Sequence, residues 1–102
     1  MGIDARIESE TGEAIEELYD LDNLVKELLP DFNDKASVCL RFVDPYGDTT
    51  FNQGQLPMII RELTLVVDKA SATNVKAHGK KLLQLAEKAN GQVHTYLKFV
   101  GD

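Results

Sequence analysis

Residues 37–63, SVCLRFVDPYGDTTFNQGQLPMIIREL, constrain the fold of this chain more than any other stretch, because they read as strand, tight turn, strand, cap and amphipathic helix. Val38, Leu40 and Phe42 alternate with Cys39, Arg41 and Val43. That is the period of a strand, and the mostly apolar second face suits a central one. Asp44-Pro45-Tyr46-Gly47 carries the chemistry of a type I turn: Asp accepts from the backbone, Pro presets φ and Gly closes. Residues 48–52 then return antiparallel. Asn52 or Gln55 precedes Pro57 at the first helical turn, and Ile59, Ile60, Leu63, Val66 and Val67 form the buried stripe of a helix.

The flanking segments fill out the same architecture. Ile3, Ala5 and Ile7 alternate with Asp4, Arg6 and Glu8, as in a strand with one buried face. Glu10-Thr11-Gly12-Glu13 can close a hairpin that returns through residues 14–19, with Gly12 in a left-handed position. Ala14, Leu18, Leu21, Val25 and Leu28 also share one helical stripe, so residues 13–20 stay open between strand and helix. Asp20 or Asp22 can cap a helix whose Leu21, Leu24, Val25, Leu28 and Leu29 pack inward until Pro30. Ser71, Thr73 and Asn74 offer caps for a last helix with Val75, Leu82, Leu85, Ala86 and Ala89 inside, ended by Asn90-Gly91. Gly79 within it costs about 1 kcal/mol against Ala. Val93, Thr95, Leu97 and Phe99 alternate in a terminal strand. The expectation is one α+β domain over residues 1–102: a mainly antiparallel sheet of four to five strands, two to three helices on one face, order β(β)αββααβ. A chain of 102 residues buries roughly 60–65% of its unfolded surface, enough for one core.

The net charge of -6 conceals an asymmetry. Residues 1–34 hold eleven acids against Arg6 and Lys26, a net of -9, and the remainder holds six acids against nine bases, a net of +3. An acidic third of this kind raises the encounter rate with a basic protein and is unsuited to nucleic acid. The lone Cys39, set between Val38 and Leu40, excludes an internal disulfide and reads as a buried, inert thiol in a reducing compartment. The opening MGIDARIE has neither a basic n-region nor an apolar h-region, position 6 is Arg6 where myristoylation wants Ser or Thr, and no apolar run reaches ~18 residues. A cytoplasmic protein is expected.

Motifs that carry chemistry are missing. His78 and His94 have no Cys or carboxylate at ligand spacing, so no metal is expected. The glycines of Gly47-Asp-Thr-Thr and Gly54-Gln have the wrong spacing for a phosphate loop, and no Lys-Ser/Thr pair follows. Lys76, Lys80 and Lys81 lack the interleaved aromatics of a nucleic-acid groove. Arg41, Asp48, His94 and Tyr96 would form an acid-base cleft if their strands brought them together. No catalytic residue or cofactor is assigned.

The segments CLRFVDPYGDTTFN (39–52) and GQVHTYLKFVG (91–101) resemble those of a set of small bacterial proteins. In size, acidity and lack of a catalytic motif the chain is also similar to the immunity proteins of contact-dependent inhibition and related polymorphic toxin systems. That resemblance implies a cytoplasmic antidote which occludes a cognate toxin domain, often a basic nuclease. On charge alone, Glu16, Glu17, Asp20, Asp22, Asp44, Tyr46 and Asp48 are expected to contact the basic partner. Two other readings stand beside it: a small enzyme built on the Arg41, Asp48, His94 and Tyr96 cleft, and a homo-oligomer, such as a homodimer, joined through edge strands.

Overall fold

A computed structural model describes residues 2–102. The sheet has four antiparallel strands, β1 (Asp4–Ser9), β2 (Ala14–Leu18), β3 (Asp48–Phe51) and β4 (Thr95–Val100), in the order β2-β1-β4-β3. Two helices, α1 (Leu56–Lys69) and α2 (Thr73–Asn90), link β3 to β4 and cover one face. The fold is α+β with a mainly antiparallel sheet, as the sequence patterns indicate. Alternation in β1 and β4 turns Ala5, Ile7, Leu97 and Phe99 inward, where they meet Leu56, Ile59 and Leu63 of α1 and Leu82, Leu85 and Ala86 of α2 in one core. Phe51 and Phe99 meet edge to face at 6.0 Å inside it. No helix among the described residues is long and apolar enough to cross a membrane.

Within residues 13–20, Ala14–Leu18 resolves as strand rather than helix: Gly12 takes φ 87° at the turn, and β2 pairs with β1 from Ala14 opposite Glu8 to Leu18 opposite Ala5. α1 begins with a reciprocal cap. The Asn52 side-chain oxygen accepts the Gln55 N–H at 3.1 Å while the Gln55 side-chain oxygen accepts the Asn52 N–H at 3.0 Å. At α2 the flanking residue is Ala72, with extended backbone and no side-chain cap of its own, while the Asn74 side-chain oxygen accepts the Val75 N–H of the first turn at 2.9 Å.

Two expected elements are replaced. The helix over residues 21–29 shrinks to a single 3₁₀ turn, Val25–Glu27. Asn23 sits in the left-handed region at φ 56°, which breaks any helix entering from Leu21, and Pro30 stops it on the other side. Residues 37–43 form no strand; they hold a 3₁₀ turn, Leu40–Phe42, with Cys39, Leu40 and Val43 buried and Phe42 outside. The cause is Glu62 on α1. Its carboxylate accepts the N–H groups of Val38 at 3.1 Å, Cys39 at 2.9 Å and Leu40 at 3.3 Å, together with the Ser37 hydroxyl. Those N–H groups are therefore not available to a ladder.

Candidate protein-binding surface

Strand register decides which charges meet. Leu18 at the end of β2 lies opposite Ala5, Asp4 at the start of β1 lies opposite Val100 at the end of β4, and Val100 lies opposite Asp48 at the start of β3. One end of the sheet therefore gathers residues 17–22, 44–48 and 100–102, with about 14 Å between the two edge strands at ~4.8 Å per strand. The Asp44-Pro45-Tyr46-Gly47 turn forms as its chemistry dictates: Asp44 Oδ1 accepts the Tyr46 N–H at 2.9 Å, and the Gly47 N–H donates to Asp44 O at 3.4 Å. The turn is then sewn to the end of β4, since Gly101 N donates to Gly47 O at 2.7 Å and Asp102 N to Pro45 O at 3.0 Å. Only glycine fits at Gly101, where a Cβ would stand 2.5 Å from the Pro45 backbone.

Of the residues expected to contact a partner, Glu17, Asp22, Asp44, Tyr46 and Asp48 are exposed at or beside this end. Asp48 shares Lys98, whose Nζ lies 3.4 Å from Asp48 Oδ2 and 3.5 Å from Glu8 Oε2. Glu16 is exposed too, but it faces α2 and pairs with Lys88 at 2.9 Å. Asp20 departs from the expectation because it is buried. Its Oδ2 accepts the N–H groups of Ile3 and Val25, both at 3.0 Å, and its Oδ1 accepts that of Leu24 at 2.7 Å. A buried carboxylate must be satisfied from within, and this one is consumed in tying β1 to the first 3₁₀ turn.

Tyr46 is among the contacts expected from sequence, whereas Tyr19 and Leu21 are not. Tyr19 is 58% exposed, Leu21 91% and Tyr46 83%, so three large side chains stand in solvent around the acidic end. Beside Leu21 lies a cleft of about 470 Å³ lined by Asp4, Asp20, Leu21, Val100 and Asp102 among others. Asp4 Oδ1 accepts the Asp20 N–H at 2.7 Å, which fixes the wall between β1 and residues 19–22. Tyr19 is held by Glu17: a hydrogen bond to that carboxylate, then its negative charge, raises the phenol above its ordinary value of 10.0. The signal for Tyr19 and Leu21 is present as large side chains set among acids over residues 15–22, of which only Leu18 and Leu21 belong to the alternative helical stripe.

The residues of the acid-base reading do not converge. Tyr96 lies opposite Glu8, four positions along β4 from Val100 and its neighbour Asp48. His94, at φ 62°, pairs with Glu10 at 3.0 Å beyond the far end of the sheet. Arg41 lies in the second 3₁₀ turn, with its guanidinium 4.5 Å from the Phe42 ring centre. Among the described residues no group of three or more His, Cys, Asp or Glu side chains is placed to hold a metal ion. Compared with protein-family models, curated proteins and solved structures, the chain matches none.

Proposed function

We propose that the acidic end of the sheet is a docking surface for a basic protein, and that the chain is an inhibitor of the immunity type which occludes a cognate toxin domain. One observation carries the reading: the strand order brings exposed Glu17, Tyr19, Leu21 and Asp22, at the end of β2, and exposed Tyr46 and Asp48, at the start of β3, to the same end of the sheet. Aromatic and aliphatic anchors ringed by one sign of charge are the composition of an interface with a fast, electrostatically steered encounter. Acids set the approach, and burial of Tyr19 and Leu21 supplies the contact that persists. A lysine or arginine of the partner enters the cleft beside Asp4 and Asp102, while the β2 edge presents unpaired backbone groups next to it.

Co-expression tests this. The reading requires a basic protein to be encoded beside this chain; expressed alone it should arrest growth, and the intact chain should restore growth. The double variant Tyr19→Ala, Leu21→Ala, folded by circular dichroism, should fail to restore it. Full protection by that variant would place the interface elsewhere.

A further inference from the structure

A second cleft, of about 480 Å³, opens between residues 26–32 and 41–45 and has a different character from the acidic one. Pro30, Phe32, Phe42 and Pro45 wall it, and Lys26 and Arg41 reach it. Phe32 and Phe42 meet edge to face at 5.8 Å, which fixes both rings although Phe32 is largely, and Phe42 about half, in solvent. Arg41 is fixed as well: its Nη1 donates to Phe32 O at 3.3 Å and its Cζ sits 4.5 Å from the Phe42 ring centre. The Arg41 Nε is shut off from solvent without an acceptor, an unsatisfied donor on an ordered guanidinium. The single acid of the lining, Asp44, already accepts the Tyr46 N–H within its own turn. Arg41 thus brings an unsatisfied donor to a lining whose one acid is already engaged in its own turn.

We propose that this cleft binds a small organic carboxylate carrying a flat apolar body. The volume lies within the ~300–1,000 Å³ of small-molecule sites, and apolar walls with a few convergent polar groups are their usual make-up. The rings stack or edge the apolar body, and the carboxylate meets the Arg41 guanidinium, for which a planar fork of donors is the natural complement. The site shares only the Asp44-Pro45 turn with the acidic end and none of Tyr19, Leu21 and Tyr46, so the variants Arg41→Met and Phe42→Ala test it without touching the other surface.

The full-length chain is titrated with 3-phenylpropionate and, separately, with 3-phenylpropylamine, following backbone amide shifts. At 11 non-hydrogen atoms a millimolar dissociation constant is the scale to expect for the acid. Saturable shifts confined to residues 26–32 and 41–45 are expected, with the amine at least about tenfold weaker there. Arg41→Met, which keeps the packed stem and the backbone bond to Ser37, should weaken the acid about tenfold. Phe42→Ala, at an exposed ring, should weaken it with no spread of shifts into the core. Equal binding of acid and amine, unchanged binding in both variants, or no shift by about 20 mM overturns the proposal.

Discussion

Glu62 on α1 accepts the backbone N–H of Cys39 at 2.9 Å, across 23 positions of sequence, and that contact decides the form of residues 37–43. The same carboxylate takes three further donors, from Ser37, Val38 and Leu40, and acts as a cap for a 3₁₀ turn supplied by a different element. Beneath it Cys39 and Leu40 are sealed in the core. Burial first, and the Glu62 charge second, raise the Cys39 thiol above 9.0, so the reactive thiolate is scarce at neutral pH.

Replacing Glu62 should therefore act on both stability and reactivity. Glu62→Ala leaves four donors without their acceptor, and a loss of about 2–4 kcal/mol in urea melts is expected. A thiol reagent should label Cys39 slowly in the native wild type and at least several-fold faster in the variant. Rapid labelling of the wild type at neutral pH, or a loss under about 0.5 kcal/mol, would show that Glu62 does not hold the turn.

Asp20 and Asp22, two positions apart and alike in sequence, should behave oppositely. Asp20→Ala removes the acceptor of three backbone N–H groups from a buried site and should cost about 3–5 kcal/mol. Asp22 is exposed, and Asp22→Ala should stay within about 0.5 kcal/mol. Similar melting midpoints for the two variants would contradict the assignment of Asp20 as an internal tie.

How far this was legible in the sequence follows from the range of the interactions involved. Alternation in Ile3, Ala5 and Ile7 and in Thr95, Leu97 and Phe99 marks β1 and β4, because a half-buried strand leaves its period in the chain itself. Residues 37–43 alternate just as well, yet the deciding group lies on a helix more than twenty positions away. Asp20 reads both as a helix cap and as a solvated contact acid, and the choice between them is made by Ile3, 17 positions away, whose N–H its carboxylate accepts beside those of Leu24 and Val25. Convergence of Asp22, Asp48 and Tyr46 depends on the order β2-β1-β4-β3, which patterns of hydrophobicity leave open.

Gly79 offers a test of packing against propensity. Helix propensity alone makes Gly79→Ala stabilising by about 1 kcal/mol. In the fold a Cβ there would lie 2.6 Å from Val67 Cγ2 and 3.2 Å from Leu28 Cδ1, where α2 crosses α1 and the first 3₁₀ turn. Overpacking should win, and thermal or urea unfolding should show a net loss of about 1–3 kcal/mol. A gain in stability would mean the two helices stand further apart at this point.

The central proposal, that a basic protein docks on the acidic end of the sheet, is tested most directly by association kinetics against the basic protein that the proposal requires to be encoded beside this chain. Raising salt from ~10 to ~150 mM contracts the Debye length from about 30 to 8 Å, and the association rate of the wild type should fall steeply. Glu17→Lys, Asp22→Lys and Asp48→Lys together, with Asp20 left intact to preserve the fold, should slow association at low salt by about tenfold or more and flatten the salt dependence. Reversing Lys76, Lys80 and Lys81 to Glu on α2 should leave binding intact or faster. An acid-reversed variant that binds as fast as wild type, or a loss seen only in the lysine-reversed variant, would contradict the acidic end as the interface.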